Sequence, residues 1–380
     1  MDHQHRSEPA LISDARDERL DDRELEALAT IAERLGLIRL GAVDLAHPGF
    51  EPARAALREY LERGAEGEMQ FMRRTAEVRD DPSAMLPGAR SALVVLVPYS
   101  GEPGPVARYA QSADYHSEIH CRLARLAEAV HERHPGIETL ICVDTKPVLE
   151  RAAAVLAGLG FLGKNGCLIN PGLGSYVLIG VLLTTAPWVG SDRAPSQLHD
   201  RLQAGQATPW DMCGSCRLCL DACPTAAFDA PGILDPRRCI SYLTIEHRGP
   251  IAEELGARMG QRVAGCDVCQ EVCPYNRSST REQRIPLTAR LPPPPGRDRT
   301  PDLAWLANVG SNQYRQFVKH TSINRIPRKA MRRNAIMAIG RADGPASPAE
   351  IEALQRAAAD PSDDLAELAR QAAARRKVTL

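Results

Sequence analysis

Hydrophobic positions change their period several times along the chain, and each change marks an element. Over 23–35, Leu25, Leu28, Ala29, Ala32 and Leu35 keep the three-to-four spacing of one helical face. Gly36 follows, where glycine commonly ends a helix. Residues 37–43 read as a strand and 52–63 as a helix closed by Gly64, followed by 68–74 and Glu77-Val78-Arg79-Asp80-Asp81-Pro82. Ser91–Pro98, SALVVLVP, is apolar almost throughout, the pattern of a strand buried on both faces. An amphipathic helix over 117–133 and a second buried strand over 139–143 follow. That strand runs into Asp144-Thr145-Lys146-Pro147 and a helix to Ala157, with proline at its first turn. Residues 175–185 give a last long apolar strand, so 23–185 is expected to be an α/β domain built on a sheet.

Between these elements, 158–174 is glycine-rich (GLGFLGKNGCLINPGLG). It does not make G-x-G-x-x-G after a strand, and Lys164 lacks a P-loop frame, so nucleotide fingerprints are excluded. A β-hairpin with open turns and a backbone held close to a flat cofactor both remain open.

Past the sheet, 186–210 reads as a linker and 211–283 as a cysteine-rich domain. The proline-rich run 284–301 reads as an extended linker. The tail, 302–380, is helical. Segments 311–321 with 325–339, and 348–359 with 362–375, form two helix pairs of HEAT-like character. The whole is an α+β multidomain fold.

Composition adds little. A chain of 380 residues suits two or three domains, and a net charge of -1 gives no global sign of a nucleic-acid partner. Residues 1–22 are polar, lack the apolar core of a signal peptide, and are expected to be a disordered leader. No apolar run approaches the roughly 18 residues of a membrane span. The expectation is a cytoplasmic monomer without a membrane partner.

Cysteine changes the picture. Cys213, Cys216, Cys219 and Cys223, with Pro224 after them, spell C-x2-C-x2-C-x3-C-P. This is the bacterial run for [4Fe–4S] clusters, whose fourth cysteine ligates the other cluster. Cys266, Cys269 and Cys273 before Pro274 repeat it without the first cysteine, for which Cys239 substitutes. A cubane has four corners, and one tight loop caps three of them. The assignment is therefore Cys213, Cys216, Cys219 and Cys273 for one cluster, and Cys223, Cys239, Cys266 and Cys269 for the other. Zinc sites use separated C-x2-C pairs and fit this run poorly. Disulfides require an oxidising compartment, to which nothing points.

Several further runs resemble the epoxyqueuosine reductase family over about 23–340. They are Asp144-Thr145 with Pro147 and Glu150-Arg151, Gly160-Phe161-Leu162-Gly163-Lys164-Asn165, and Gly174-Ser175-Tyr176. Arg108-Tyr109-Ala110 with Asp114-Tyr115-His116, Ser241-Tyr242-Leu243-Thr244, Gly265-Cys266-Asp267-Val268-Cys269-Gln270 and Arg333-Asn334-Ala335 complete the set. The resemblance implies base-off cobalamin in the α/β domain, fed with electrons by two [4Fe–4S] clusters. It implies reduction of epoxyqueuosine to queuosine at the tRNA wobble position, with the anticodon arm as partner and an external flavodoxin- or ferredoxin-type donor.

By that resemblance Asp144 is the proton donor. Its place at the end of a buried strand suits a ligand site of an open α/β sheet. Donation near neutral pH would need a pKa raised by an apolar face, which a corrin ring supplies. The plain alternative is a helix-capping aspartate. Arg79 is a candidate to pair with a corrin amide or phosphate, against a surface ion pair. Ala107, Leu168 and Ile179 are candidate cobalamin contacts, against plain turn or core positions. Asp267 and Val268 lie between cluster ligands and Tyr242 just after Cys239, so each is expected near a cluster and the cobalt. Lys164 and Asn165 read the ring edge or hold a turn.

The leftover Cys121, Cys142 and Cys167 are expected to be inert. His116 and His120 share a helical face and are expected to be solvated rather than a metal pair. Arg325, Arg328, Lys329, Arg332 and Arg333 gather at a helix start as a phosphate-tracking patch would, against a merely solvated face. His247 and Arg248 are further RNA candidates, and chemistry on the base requires its extrusion from the stack. Two other functions compete: a corrinoid reductive dehalogenase of small molecules, and an iron–sulfur electron carrier. A basic tail and the absence of a twin-arginine signal oppose the first, and the large first domain opposes the second.

Overall fold

The computed structural model describes residues 19–191, 210–277, 285–294 and 301–380. The leader up to residue 18, most of the 186–210 linker and part of 284–301 fall outside these. The leader does not extend to residue 22, however. Leu20 is buried, and its backbone bonds Pro187 and Val189, because an apolar side chain here completes the core beside Trp188.

Helix α1 (Asp22–Arg34) starts at Asp21, whose carboxylate accepts from the Glu24 N–H at 2.8 Å. It buries Leu25, Leu28 and Ala32. Strand β1 (Ile38–Asp44) and α2 (Glu51–Glu62) follow, then β2 (Ser91–Pro98), α3 (Tyr115–Arg133), β3 (Thr139–Cys142) and α4 (Glu150–Leu156). The short strands β4 (Phe161–Leu162) and β5 (Leu168–Ile169) precede β6 (Val177–Thr184). One sheet has the order β1-β2-β6-β3, and every neighbouring pair in it is antiparallel.

This corrects the expected α/β sheet. Two-sided burial arises here without parallel strands, because helices cover both faces. Leu93, Val95 and Val97 of β2 point into a core shared with α1 and α3. Ala92, Val94 and Leu96 point into the opposite core, shared with α4. Strand β3 is an edge strand. Three of its four residues are half-buried, so it is less enclosed than its apolar sequence suggests.

The glycine-rich stretch is the hairpin of β4 and β5. Its Gly174 backbone lies against the Asn276 side chain, and a Cβ there would collide with it. The cysteine segment is mostly turns, with one-turn helices at Leu218–Asp221 and Val268–Glu271, the two-residue ladder of β7 (Phe228–Ala230) with β8 (Ile233–Leu234), and α5 (Ile240–Ile245). The tail comprises α6 (Leu303–Ala307), α7 (Ser311–Val318), α8 (Arg328–Gly340), α9 (Pro348–Ala358) and α10 (Asp363–Arg376). Helix α8 is buried from Ala330 to Gly340 and is the axis around which the others pack.

Candidate active site and cluster loops

Three strand ends meet at one edge of the sheet. Tyr99, just past β2, donates its N–H to the Tyr176 carbonyl just before β6, at 3.0 Å. The β3–β6 pairing ends at Cys142 opposite Val181, two residues short of Asp144 on one side and of Ile179 on the other. Tyr99 stacks edge-on against Tyr176 and Tyr109, and Tyr109 against Tyr115, which makes an aromatic wall.

Asp144 sits on this edge with φ of 52°, in the left-handed region that a side chain rarely adopts. Its side chain is 48% exposed. The Oδ2 atom accepts from Tyr115 OH at 2.8 Å and lies 3.1 Å from His116 Nε2. Its N–H donates to Glu150 Oε1 at 2.8 Å, which ties down the strained turn. Burial pushes the Asp144 carboxyl up, but the bonds to His116 and Tyr115 outweigh it and hold it below its ordinary value. The expected upward shift is therefore corrected for the protein alone. Glu150 is the raised carboxyl. Burial, then the nearby Asp144 charge, pushes it up to about 8. His116 is raised, since bonds to Asp144 and Asp114 overcome the burial that opposes its charge.

Arg79 faces the same group. Burial lowers its pKa against the pull of Glu150 and Asp144. Its Nη1 reaches the Val148 carbonyl at 3.4 Å, and its Nε is buried with no partner among the described residues. An orphaned buried donor of this kind demands an acceptor.

The second cysteine loop docks on this edge. Ala107 N–H donates to the Ala264 carbonyl at 2.8 Å. Buried Asp267 accepts from the Arg108 N–H at 2.8 Å, and Gln270 lies 3.4 Å from Tyr99 OH. Ser175 Oγ donates to Gln270 Oε1 at 2.9 Å, and its N–H donates to Asn276 Oδ1 at 2.8 Å. Val268 starts the one-turn helix after Asp267.

Among the thiols, burial and the charges of Cys213, Cys273 and Cys216 push Cys219 up to about 11. Burial and then Cys239 act on Cys266, which also rises to about 11. Cys239 in turn has Cys223 as neighbour, and Cys269 has Cys266 and Cys239. These pairings put Cys213, Cys216, Cys219 and Cys273 near one another and Cys223, Cys239, Cys266 and Cys269 near one another, with Cys167 next to both Cys269 and Cys273. Cys167, expected to be inert, lies close enough to Cys269 for the two thiols to shift one another's ionisation. Cys121 is exposed and Cys142 buried.

Other expected cofactor contacts are spent within the protein. Lys164 Nζ donates to the Gly214 and Cys216 carbonyls at 2.6 and 2.9 Å, and Asn165 Nδ2 to the Cys269 carbonyl at 3.4 Å. Both hold cluster loops, the plainer of the two roles expected for them. Tyr242 OH accepts from the Glu68 N–H at 2.8 Å, and Leu168 is a core residue.

The basic patch divides. Arg332 is buried and bonds the Ala307 carbonyl and Asp360. Arg333 is buried and bonds the carbonyls of Leu243, His247 and Gly249. Neither tracks phosphate, which corrects that expectation. Arg325 is exposed, pairs with Glu246 at 2.7 Å and helps to lower Asp144, so it stands at the rim of the site. Lys329 pairs with Asp364 at 2.9 Å in the open. Arg328 donates to the Val309 carbonyl at 3.0 Å. His247 and Arg248 both contact Glu68. Sequence reasoning missed Tyr115, His116 and Glu150 as parts of one site. The quoted runs that contain them were the available signal.

Residues 79–145 match the family model described as Epoxyqueuosine reductase QueG, DUF1730, and 212–276 match the 4Fe-4S double cluster binding domain. The epoxyqueuosine reductase of Gloeobacter violaceus is 35% identical over 316 residues, which cover 81% of this chain and 91% of that protein. That of Vibrio cholerae is 33% identical over 86% of this chain and 85% of its own. A crystal structure of selenomethionine-labeled epoxyqueuosine reductase aligns with TM-score 0.74 and 26% identity, over 92% of this chain and 89% of that one. Another, of epoxyqueuosine reductase with a tRNA-TYR epoxyqueuosine-modified tRNA stem loop, gives TM-score 0.71 and 25% identity, over 93% and 98%. Among the described residues no helix is long and apolar enough to cross a membrane.

Proposed function

The chain belongs to the epoxyqueuosine reductase family, and from that premise we propose how its own residues carry the reduction of epoxyqueuosine to queuosine in tRNA. Its cofactors are two [4Fe–4S] clusters and the cobalamin on which the family depends. One observation carries the reading: Asp144 and the second cysteine loop meet at the same sheet edge, joined through Tyr99, Ala107 and Arg108.

The residues present fit a corrinoid. Its ring is rimmed with amide groups that accept hydrogen bonds, and Arg79 offers a buried donor without a partner beside a half-exposed carboxyl. The aromatic wall and half-buried Ile179 offer an apolar face. Arg79, Ala107, Ile179, Asp267 and Val268 would hold it. When bound, cobalamin supplies the strongly reducing centre that acts on the epoxide carbon.

Each cysteine group holds one cluster. Cys223, Cys239, Cys266 and Cys269 would hold one, on the loop that docks at the site, and Cys213, Cys216, Cys219 and Cys273 would hold the other, which would accept electrons from an external flavodoxin- or ferredoxin-type donor. Asp144 holds the proton given to the oxygen that leaves. Its low ordinary state in the protein alone is reversed when substrate and cofactor remove its water, since desolvation already opposes its charge. Arg325, at the rim, with Arg328, Lys329, His247 and Arg248 beyond it, receives the anticodon-arm phosphates of an extruded wobble nucleotide. A single chain carries every part, so the working unit is a monomer.

The test is an anaerobic reaction of protein loaded with iron, sulfide and cobalamin on epoxyqueuosine-containing tRNA. Mass spectrometry of the digested RNA reads nucleoside that has lost one oxygen. Conversion should require cobalamin, and Asp144→Ala should slow it about 100-fold or more with both clusters retained. Conversion that survives Asp144→Ala removes Asp144 as the donor. No conversion by the fully loaded protein removes the function.

A further inference from the structure

Removing an epoxide oxygen breaks two C–O bonds and makes one C–C π bond and two O–H bonds. The balance is two electrons and two protons in, alkene and one water out. The clusters supply the electrons one at a time. One carboxyl carries one proton, so Asp144 cannot complete a turnover without being reloaded.

We propose that His116 is the residue that reloads Asp144, passing solvent protons from its Nε2 to Asp144 Oδ2. This rests on Asp144 as the proton donor and adds the route by which that donor is served. Asp114 caps α3, and its Oδ1 accepts from the His116 N–H at 3.1 Å. The same Oδ1 lies 2.6 Å from His116 Nδ1. That contact keeps a hydrogen on Nδ1 and leaves Nε2 as the nitrogen that exchanges. Nε2 lies 3.1 Å from Asp144 Oδ2. The ring is locked in place by stacking on Tyr115, with centroids 4.0 Å apart and planes 25° apart. Tyr115 OH binds the same Oδ2, so the acceptor is fixed as well. The His116 side chain is 23% exposed, enough for water to return a proton to Nε2.

The charged and titratable groups that face this pair come from every neighbouring element. Asp114 and Tyr115 lie on the start of α3, and Asp144 and Glu150 on the β3–α4 connection. Arg325 and Tyr109 stand further out, and Arg79 lies beyond Glu150. Burial opposes the charged imidazole, but the two carboxylates raise its pKa above the ordinary value. The proton-carrying imidazolium is therefore favoured more here than in a free histidine.

In each cycle the Nε2 proton forms Oδ2–H on Asp144, and that proton passes to the departing oxygen. Water then protonates Nε2, and the sequence repeats for the second O–H bond. The relay moves protons only; the two electrons come from the external donor by way of the clusters and cobalamin.

The experiment compares His116→Ala, His116→Gln and Asp144→Ala in the fully loaded protein, with cluster and cobalamin content measured in each. His116→Ala should lower kcat about 100-fold with KM for tRNA within about twofold, and added imidazole should restore a substantial part of the loss. His116→Gln should be equally slow, because it keeps the hydrogen bonds but cannot carry a proton. A merely structural histidine would raise KM or lose cofactor, would tolerate glutamine, and would not be rescued. Any of those results overturns the proposal, as does a kcat for His116→Ala within twofold of the parent. A second readout needs no substrate. In protein with 15N-labelled histidine, the His116 signal should titrate above pH 6.5 and fall when Asp144 becomes Asn. An unmoved midpoint also overturns the relay. Activity retained by Asp144→Ala defeats the donor assignment itself, whereas a dead Asp144→Ala beside a fully active His116→Ala defeats the relay alone.

Discussion

Asp144 and Glu150 are neighbouring carboxyls of opposite character. Asp144 accepts two side-chain bonds and is held charged, while Glu150 spends one oxygen on a backbone N–H and is pushed up to about 8. In the unfolded chain Glu150 ionises near 4.5. Between that pH and about 8 the folded protein holds a proton that the unfolded chain has lost. The stabilisation is full below about 4.5 and fades as pH rises toward 8. Glu150→Gln should therefore melt at a temperature that changes less between pH 5 and pH 8 than the parent does. Anaerobic thermal melts across that range check it, and parallel slopes would refute the shift. At this scale Asp144 was legible from its motif, but its electrostatic state was not. His116 and Tyr115 arrive from a different element, and no local pattern around Asp144 announces them. The glycines and Lys164 told a half-truth in the same way. Gly174 and Lys164 do mark close approach to the cysteine loops, while Gly160 and Gly163 pack against the hairpin itself.

Among the elements, α8 departs furthest from its appearance in sequence. A run of cations suggested a surface, yet Arg332, Arg333 and Asn334 are all buried. The flanking Ala330-Met331 and Ala335-Ile336 were the warning, because apolar residues on both sides of a polar run leave little of the helix for water. Asn334 Nδ2 donates at 2.8 Å to the carbonyls of Thr244 and Val263, and Arg333 covers three more carbonyls of the same region. This is where the Arg333-Asn334-Ala335 run acts: it fastens the tail to the cysteine segment. Asn334→Ala strands two buried carbonyls and should cost about 2 kcal/mol, read by anaerobic urea unfolding of the loaded protein. A loss well under half of that would show that water replaces the amide.

Over the whole molecule, chemistry that imposes its own spacing was legible and chemistry that depends on long-range pairing was not. The cysteine runs declare a cubane from sequence because each loop must wrap three corners within a few residues. Strand order is set by partners far apart in the chain, so the antiparallel β1-β2-β6-β3 sheet could not be read from apolar runs that fit either direction. The exchanged grouping makes its own prediction. Cys273→Ala should remove the cluster of Cys213, Cys216 and Cys219 and leave the other, so iron content should fall by about half, from two cubanes to one. Loss of all iron, or of none, would contradict the grouping. The same exchange has a consequence for how the protein is made. A ribosome produces Cys213, Cys216, Cys219 and Cys223 long before Cys266, Cys269 and Cys273. If the ligands divide as proposed, a half-made chain owns three corners of one cubane and one or two of the other, and it can close neither. Iron delivery has to wait until translation has passed the second run, and both centres then become buildable within a few residues of one another.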